Sequence, residues 1–226
     1  MALNPGRACV DHLVVMAGSL EEGVAWSEAV LGVTPGPGGQ HAFMGTHNRL
    51  LPISSASFED AYLEIIAIDP QGPAPARRRW FDMDTPDLRE RIATQGPQLT
   101  HFVTRVPDAA FAVRAWRTLG LDPGEVLPAS RTTPQGELRW KITLRDDGAR
   151  LFDGTLPTLI EWGPIHPSAS MPRAQIWLEA LEACHPAHHE LAVAYAAIGL
   201  RDVSVKPGAS GLSATLHTPR GRVTLR

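Results

Sequence analysis

Val10-Asp11-His12-Leu13-Val14-Val15 and Leu99-Thr100-His101-Phe102-Val103 are two short apolar runs, and each carries one histidine. Runs of this length, rich in β-branched residues, read as strands. Each leads into an amphipathic helix that stops at a glycine: Ser19 to Leu31 before Gly32, and Asp108 to Leu119 before Gly120. Ser19 with Glu22 three residues on forms a capping box, and Asp108 is a cap for the second helix. Gly32 and Gly120 suit the left-handed position that closes a helix.

Strand-like segments follow both helices. After Gly32 come a Gly/Pro-rich turn (35–39) and runs at 48–54 and 61–68; after Gly120 come runs at 125–133, 138–145 and 158–162. Both units therefore read β-α-β-β-β, an internal repeat. A third, shorter copy begins at Ile176 to Leu181. Its helix runs from Pro186, which suits a first turn, to Ile198 before Gly199, and strands at 203–206, 212–217 and 222–225 complete it. The expected organisation is a first module at 1–68, a linker at 69–97, a second module at 98–165 and a βαββ extension at 172–226. The linker, helical from Thr85 to Thr94, is long enough to carry function or wrap its neighbours. The fold class is α+β.

Composition narrows the partners. Of 226 residues, 43% are apolar and 20% charged, an ordinary globular mixture with enough chain to bury a core. A net charge of −3 argues against a nucleic-acid partner, and the Arg77–Arg79 run reads as a solvated loop. No apolar stretch approaches the ~20 residues of a membrane span. Cys9 and Cys184 lack metal-type spacing, and the start does not read as a signal peptide, so the expectation is a cytoplasmic protein with reduced thiols.

The chemistry rests on matched places in the two repeats. His12 and His101 lie in the first strand of each, and Glu64 (Tyr-Leu-Glu-Ile-Ile) and Glu161 (Thr-Leu-Ile-Glu-Trp) in the last. A carboxylate set among apolar residues is costly to bury unpaired. Each residue alone has a plainer reading: a satisfied core histidine, or a glutamate facing solvent or paired with a cation. Taken together, and with the modules packed about a pseudo-twofold axis, they suggest one divalent ion (Zn, Ni, Mn, Co or Fe) held by His12, Glu64, His101 and Glu161. Such an ion, with open positions, would chelate adjacent substrate oxygens, with Glu64 or Glu161 as catalytic base.

These stretches, with Gly38-Gly39-Gln40-His41 and Gly45-Thr46-His47-Asn48-Arg49-Leu50, resemble the glyoxalase-like domain family of the vicinal oxygen chelate (glyoxalase/bleomycin resistance/dioxygenase) superfamily. The resemblance covers essentially the whole chain. It implies tandem βαβββ modules in a glyoxalase-type curved mixed sheet, with a C-terminal partial βαββ module. It also implies one His and one Glu from each module on a metal, and lyase or isomerase chemistry on a small oxygenated metabolite. Two alternatives stand beside it: a metal-free binding or resistance protein, and an extradiol-type dioxygenase, against which a second Glu ligand argues.

His41, His47, Asn48 and Arg49 are candidates to bind the substrate, though His47-Asn48 also suits a plain turn. Arg131, Arg139 and Lys141 mark a polar face that is either cavity wall or solvent. Trp80, Phe81, Trp140 and Trp162 line a pocket or simply pack, while His185, His188 and His189 read as a surface cluster. The partner is a small molecule, and both an intrachain site and a homodimer are compatible with two full modules.

Overall fold

In the computed structural model, which describes residues 7–133 and 136–226, the chain folds into one eight-stranded sheet, one four-stranded sheet and four helices. The first unit runs β1 (Cys9–Met16), α1 (Leu20–Trp26), β2 (Gly36–His41), β3 (Thr46–Pro52) and β4 (Tyr62–Ile68). Ser19 caps α1, its hydroxyl accepting from the Glu22 N–H at 3.2 Å, while the Glu22 carboxylate accepts from Gly18 N–H at 3.0 Å. The helix ends in a π-helical turn (Ser27–Leu31) closed by Gly32 at φ 72°.

After α2 (Pro86–Gln95), the second unit runs β5 (Gln98–Arg105), α3 (Ala109–Arg117), β6 (Glu125–Thr133), β7 (Gly136–Leu144) and β8 (Thr158–Trp162). Asp108 caps α3 through the Phe111 N–H at 2.8 Å. In both units the first strand pairs parallel with the last, and β1 pairs antiparallel with β5 to join the halves. The sheet order is β2-β3-β4-β1-β5-β8-β7-β6, curved and nearly closed.

The Gly/Pro stretch expected to be a turn at 35–39 instead enters strand β2. An edge strand tolerates Pro37, which has no N–H to donate. Gly38 is required there, because a Cβ would lie 2.2 Å from the Asn48 carbonyl oxygen across the ladder. Pro186 lies just outside its helix: α4 (His188–Ala197) starts after Ala187, whose N–H donates to His185 Nδ1 at 2.9 Å.

The third segment, β9 (Trp177–Cys184), α4, β10 (Val203–Lys206), β11 (Gly211–Thr218) and β12 (Gly221–Leu225), makes the small sheet β10-β9-β11-β12. It packs on the helix side of the large sheet. Val10, Leu13, Leu63, Phe102, Trp116 and Leu159 share one core there with Leu178, Leu191, Tyr195 and Leu216. Trp116 Nε1 donates to the Ala194 carbonyl at 2.8 Å, and Val10 N–H donates to Asp202.

A second core lies on the concave side: Val14, Met16, Ile66, Val103, Trp140, Ile142 and Ile160, with Trp80, Phe81 and Met83 from the connection before α2. Alternation sends odd and even residues of a strand to opposite faces, so these two clusters fix which face each site residue occupies.

Candidate active site on the concave face

A break in the alternation of β1 builds the centre of the site. Against β5, Val10 pairs with Thr104 and His12 with Val103, which leaves Asp11 as the extra residue of a β-bulge. Val10 and Leu13 both face the helix-side core, so Asp11 and His12 lie consecutively on the concave side. Bulges commonly re-aim side chains beside functional sites.

Both residues are buried, and His12 Nδ1–H donates to Asp11 Oδ1 at 2.6 Å. Asp11 Oδ2 accepts from Trp162 Nε1 at 2.9 Å and from His166 Nε2 at 3.0 Å. Burial opposes charge on Asp11. The hydrogen bonds from His12 and His166 outweigh it and hold the carboxyl well below the usual carboxylate range. A buried carboxylate with three donors fixes the His12 ring, which also stacks on Tyr62 at 4.5 Å.

With its inner nitrogen tied to Asp11, His12 turns Nε2 toward Glu64 Oε2, 3.6 Å away. Glu64 is 5% exposed, and its Oε1 accepts from Asn48 Nδ2 at 2.5 Å. Asn48 is itself oriented by Gly39 N–H, which donates to its Oδ1 at 2.7 Å. His41 lies against the same amide, with its Nδ1 3.1 Å from the Thr46 hydroxyl; burial pulls it down to about 4, partly opposed by the Glu64 charge. Tyr62 stays a neutral phenol, since burial, then the charges of Asp11 and Glu64, push it well above its ordinary value.

These groups surround a narrow cavity of about 40 Å³, whose further walls are Trp80, Phe81, Arg131, Trp140, Ile142, Ile160 and Trp162. That is room for two or three waters, or a few heavy atoms of a ligand. Of the expected substrate-binding residues, His41 and Asn48 line it. His47 and Arg49 alternate to the other face of β3 and are not among the lining residues. Arg131 is cavity wall, whereas Arg139 and Lys141 lie on the exposed face of β7.

The second module does not contribute as expected. His101 faces the concave side two residues along from Val103, opposite Val14, and both its nitrogens are engaged. Nδ1 donates to the Gly154 carbonyl at 2.9 Å, and Nε2 accepts from Thr158 N–H at 3.1 Å. Burial, then the Arg150 charge, pull it down to about 3, against the Gly154 hydrogen bond. It is a satisfied core histidine. Glu161 lies on the opposite face of β8, where its carboxylate accepts from Lys141 Nζ at 2.7 Å and from the Ala109 N–H of α3 at 2.9 Å.

Register explains both. His12 stands opposite Tyr62 and two residues before the level of Glu64; Val103 stands opposite Thr158 and two residues before the level of Ile160. Val103 and Ile160 thus fill the places that symmetry would give to a second His and Glu. Strand β1 runs four residues past His12, and β5 only two past Val103. Counting back from the helices therefore lands on His101.

The unforeseen members are Asp11, Tyr62 and His166. The signal for Asp11 was the polar pair Asp11-His12 inside an apolar strand, which breaks a period of two.

Two βαβββ modules joined through their first strands, with polar groups on a concave face, define a vicinal oxygen chelate fold. The chain belongs to the glyoxalase-like domain family, which it matches over residues 10–199. Among solved structures it is similar to a hypothetical protein from Staphylococcus aureus, at 12% identity and TM-score 0.60, over 90% of this chain and 87% of that one. It is more loosely similar to methylmalonyl-CoA epimerase from Mycobacterium tuberculosis (16% identity, TM-score 0.40, 72% and 92% covered). A variant of the Streptomyces coelicolor methylmalonyl-CoA epimerase, in complex with 2-nitronate-propionyl-CoA, stands similarly (15%, 0.41, 70% and 96%). At these identities the likeness is one of fold. No curated protein matches the chain.

Divalent metals are common in this superfamily. The side chains present do not fit the four-donor set: Val103 and Ile160 have no ligand atoms, and the Asn48 amide N–H occupies Glu64 Oε1. Among the described residues no group of three or more His, Cys, Asp and Glu side chains is placed to hold a metal. The four-residue convergence expected from the sequence reduces to the pair His12 and Glu64.

Proposed function

We propose that the protein is an isomerase or lyase that moves a proton at the carbon next to a carbonyl group of a small oxygenated metabolite. The observation that carries this reading is the Asp11–His12–Glu64 array: a buried Asp–His pair whose outer nitrogen faces a buried carboxylate across 3.6 Å, at the wall of a small cavity. A positioned base and acid within reach of one substrate are the parts that such a transfer needs.

In the proposed step the Glu64 carboxylate takes the proton from the carbon. The C–H electron pair becomes a C=C bond, and the carbonyl π pair moves to oxygen. That oxygen takes a proton from His12 Nε2–H, and Asp11 stabilises the imidazolium that supplies it. From an enediol, Glu64 delivers its proton to the neighbouring carbon while the second hydroxyl gives its proton to His12 (isomerase). Otherwise the enol O–H proton returns to His12 as a β-substituent leaves with the C=C electron pair and takes the proton held by Glu64 (lyase). The apolar walls Trp140, Ile142 and Ile160 keep bulk water from the enol. No step passes through the four-ligand divalent ion expected from the sequence, because the donor set does not fit it. The small molecule is the partner, and a reducing cytoplasm suits the free thiols Cys9 and Cys184.

A second reading, a binding protein that sequesters a ligand without turnover, draws support from the apolar walls of the same cavity. The two separate in one experiment: NMR of three- and four-carbon 2-oxo acids and 2-hydroxy ketones in deuterated water. The enzyme reading expects enzyme-dependent loss of the signal of the proton next to the carbonyl, at least a hundredfold slower with Glu64→Gln. No exchange across the panel, with a ligand still bound, would favour the binder.

A further inference from the structure

The cavity has a charged side that the proton-transfer step leaves unused. Trp80 is only 5% exposed, yet its indole Nε1–H has no hydrogen-bond partner among the described residues, and the same is true of Arg131 Nη1. Both residues line the cavity that holds His12 and Glu64. Buried donors are almost always satisfied, so two unsatisfied ones on one small cavity need a reason.

The fold goes to some length to keep them there. Trp80 is held by an edge contact from His41 at 5.0 Å, an edge contact from Phe43 at 5.4 Å and stacking on Phe81 at 5.4 Å. The next residues, Phe81 and Asp82, take left-handed backbone angles (φ 60° and 59°), and Asp82 is pinned by Arg150 at 2.8 Å. Strained backbone held by its surroundings is a mark of functional sites. Arg131 comes from the opposite edge strand, and its Nη1 occupies the space where a Cβ on Gly39 would lie, 2.3 Å away. A glycine at 39 is what lets this guanidinium into the cavity.

We propose that Trp80 Nε1–H and Arg131 form a seat for a carboxylate, so that the molecule bound beside His12 and Glu64 is a small carboxylic acid anion. The substrate class rests on the reading of that cavity as the active site. Arg131 supplies the full positive charge, and the indole N–H, which can only donate, adds a fixed hydrogen bond. The narrowness of the cavity suits a short acid. Bound this way, the carboxylate end is anchored away from Glu64, whose negative charge repels it, and the rest of the acid, with its C–H next to the ketone, is left toward the base.

The test is calorimetric titration of the full chain with propanoate and with its uncharged analogue propanamide. Wild type is expected to bind propanoate at least tenfold more tightly than propanamide. Trp80→Phe, which keeps an aromatic ring and deletes the N–H, weakens propanoate about tenfold and leaves propanamide nearly unchanged. Arg131→Gln abolishes the preference for the anion. The seat is overturned if wild type shows no preference for the anion, or if Arg131→Gln keeps it. Glu64→Gln separates this from the catalytic reading: it binds propanoate at least as well as wild type even where all proton exchange is lost. Anion preference without exchange in any protein would leave the seat standing and the catalytic reading refuted.

Discussion

Replacing Asp11 with alanine removes the acceptor on which the site is built. Three donors converge on its carboxylate: His12 Nδ1, Trp162 Nε1 and His166 Nε2, at 2.6, 2.9 and 3.0 Å. Each donor left unsatisfied in a buried place costs about 1–3 kcal/mol. Two of the three are imidazoles that can shed a proton or turn, so the sum falls toward the lower end, about 3–5 kcal/mol in all, the range for breaking a buried ion pair. With a urea slope of about 2 kcal/mol/M, the unfolding midpoint falls by about 1.5–2.5 M. The control is Glu161→Ala, which loses a solvent-screened pair with Lys141 and a helix-terminus contact; its midpoint should move much less. Urea unfolding followed by tryptophan fluorescence measures both. If Asp11→Ala cost no more than Glu161→Ala, the carboxylate would not be the anchor described.

Gly38→Ala should destabilise by about 1–3 kcal/mol, because the new Cβ meets backbone of β3 that cannot move aside; thermal unfolding compared with Gly36→Ala, whose nearest contact is 3.4 Å, reads the difference. Stability should also fall in acid. His41 and His101 are lowered in the folded state to about 4 and about 3, against 6.5 unfolded, so between those values the unfolded chain binds more protons. Their contribution is complete above pH 6.5 and is lost as pH falls from there toward the folded values, up to about 3 kcal/mol per histidine by pH 4. His101→Asn should flatten that slope in denaturation midpoints taken across the range, and an unchanged slope would contradict it.

Strand alternation and the helix caps made the fold readable from the sequence, because the apolar period and the glycine stops are local signals. The site was half readable. His12 and Glu64 stand out as polar residues in apolar strands, and His41 and Asn48 follow from the Gly-rich stretch. Pairing the modules by distance from their helices hid the rest, since β1 and β5 differ in how far they run past the site. One residue of slip also exchanged faces at Glu161. Aligning Leu63 with Leu159, both in the helix-side core, places Ile160 rather than Glu161 opposite Glu64. Asp11 is marked only by the break in alternation at Asp11-His12, and the seating of Trp80 and His166 depends on long-range packing that no single segment announces.

Proton exchange by two matched variants decides whether the first module alone supplies the reacting histidine. His12→Gln and His101→Gln each remove one strand histidine, and both are assayed by NMR in deuterated water against the 2-oxo acid that wild type exchanges fastest. The expected result is a loss of at least a hundredfold with His12→Gln and less than about threefold with His101→Gln, once folding is verified for each. Equal losses from the two, recovered in neither by correcting for stability, would contradict a site built from the first module alone.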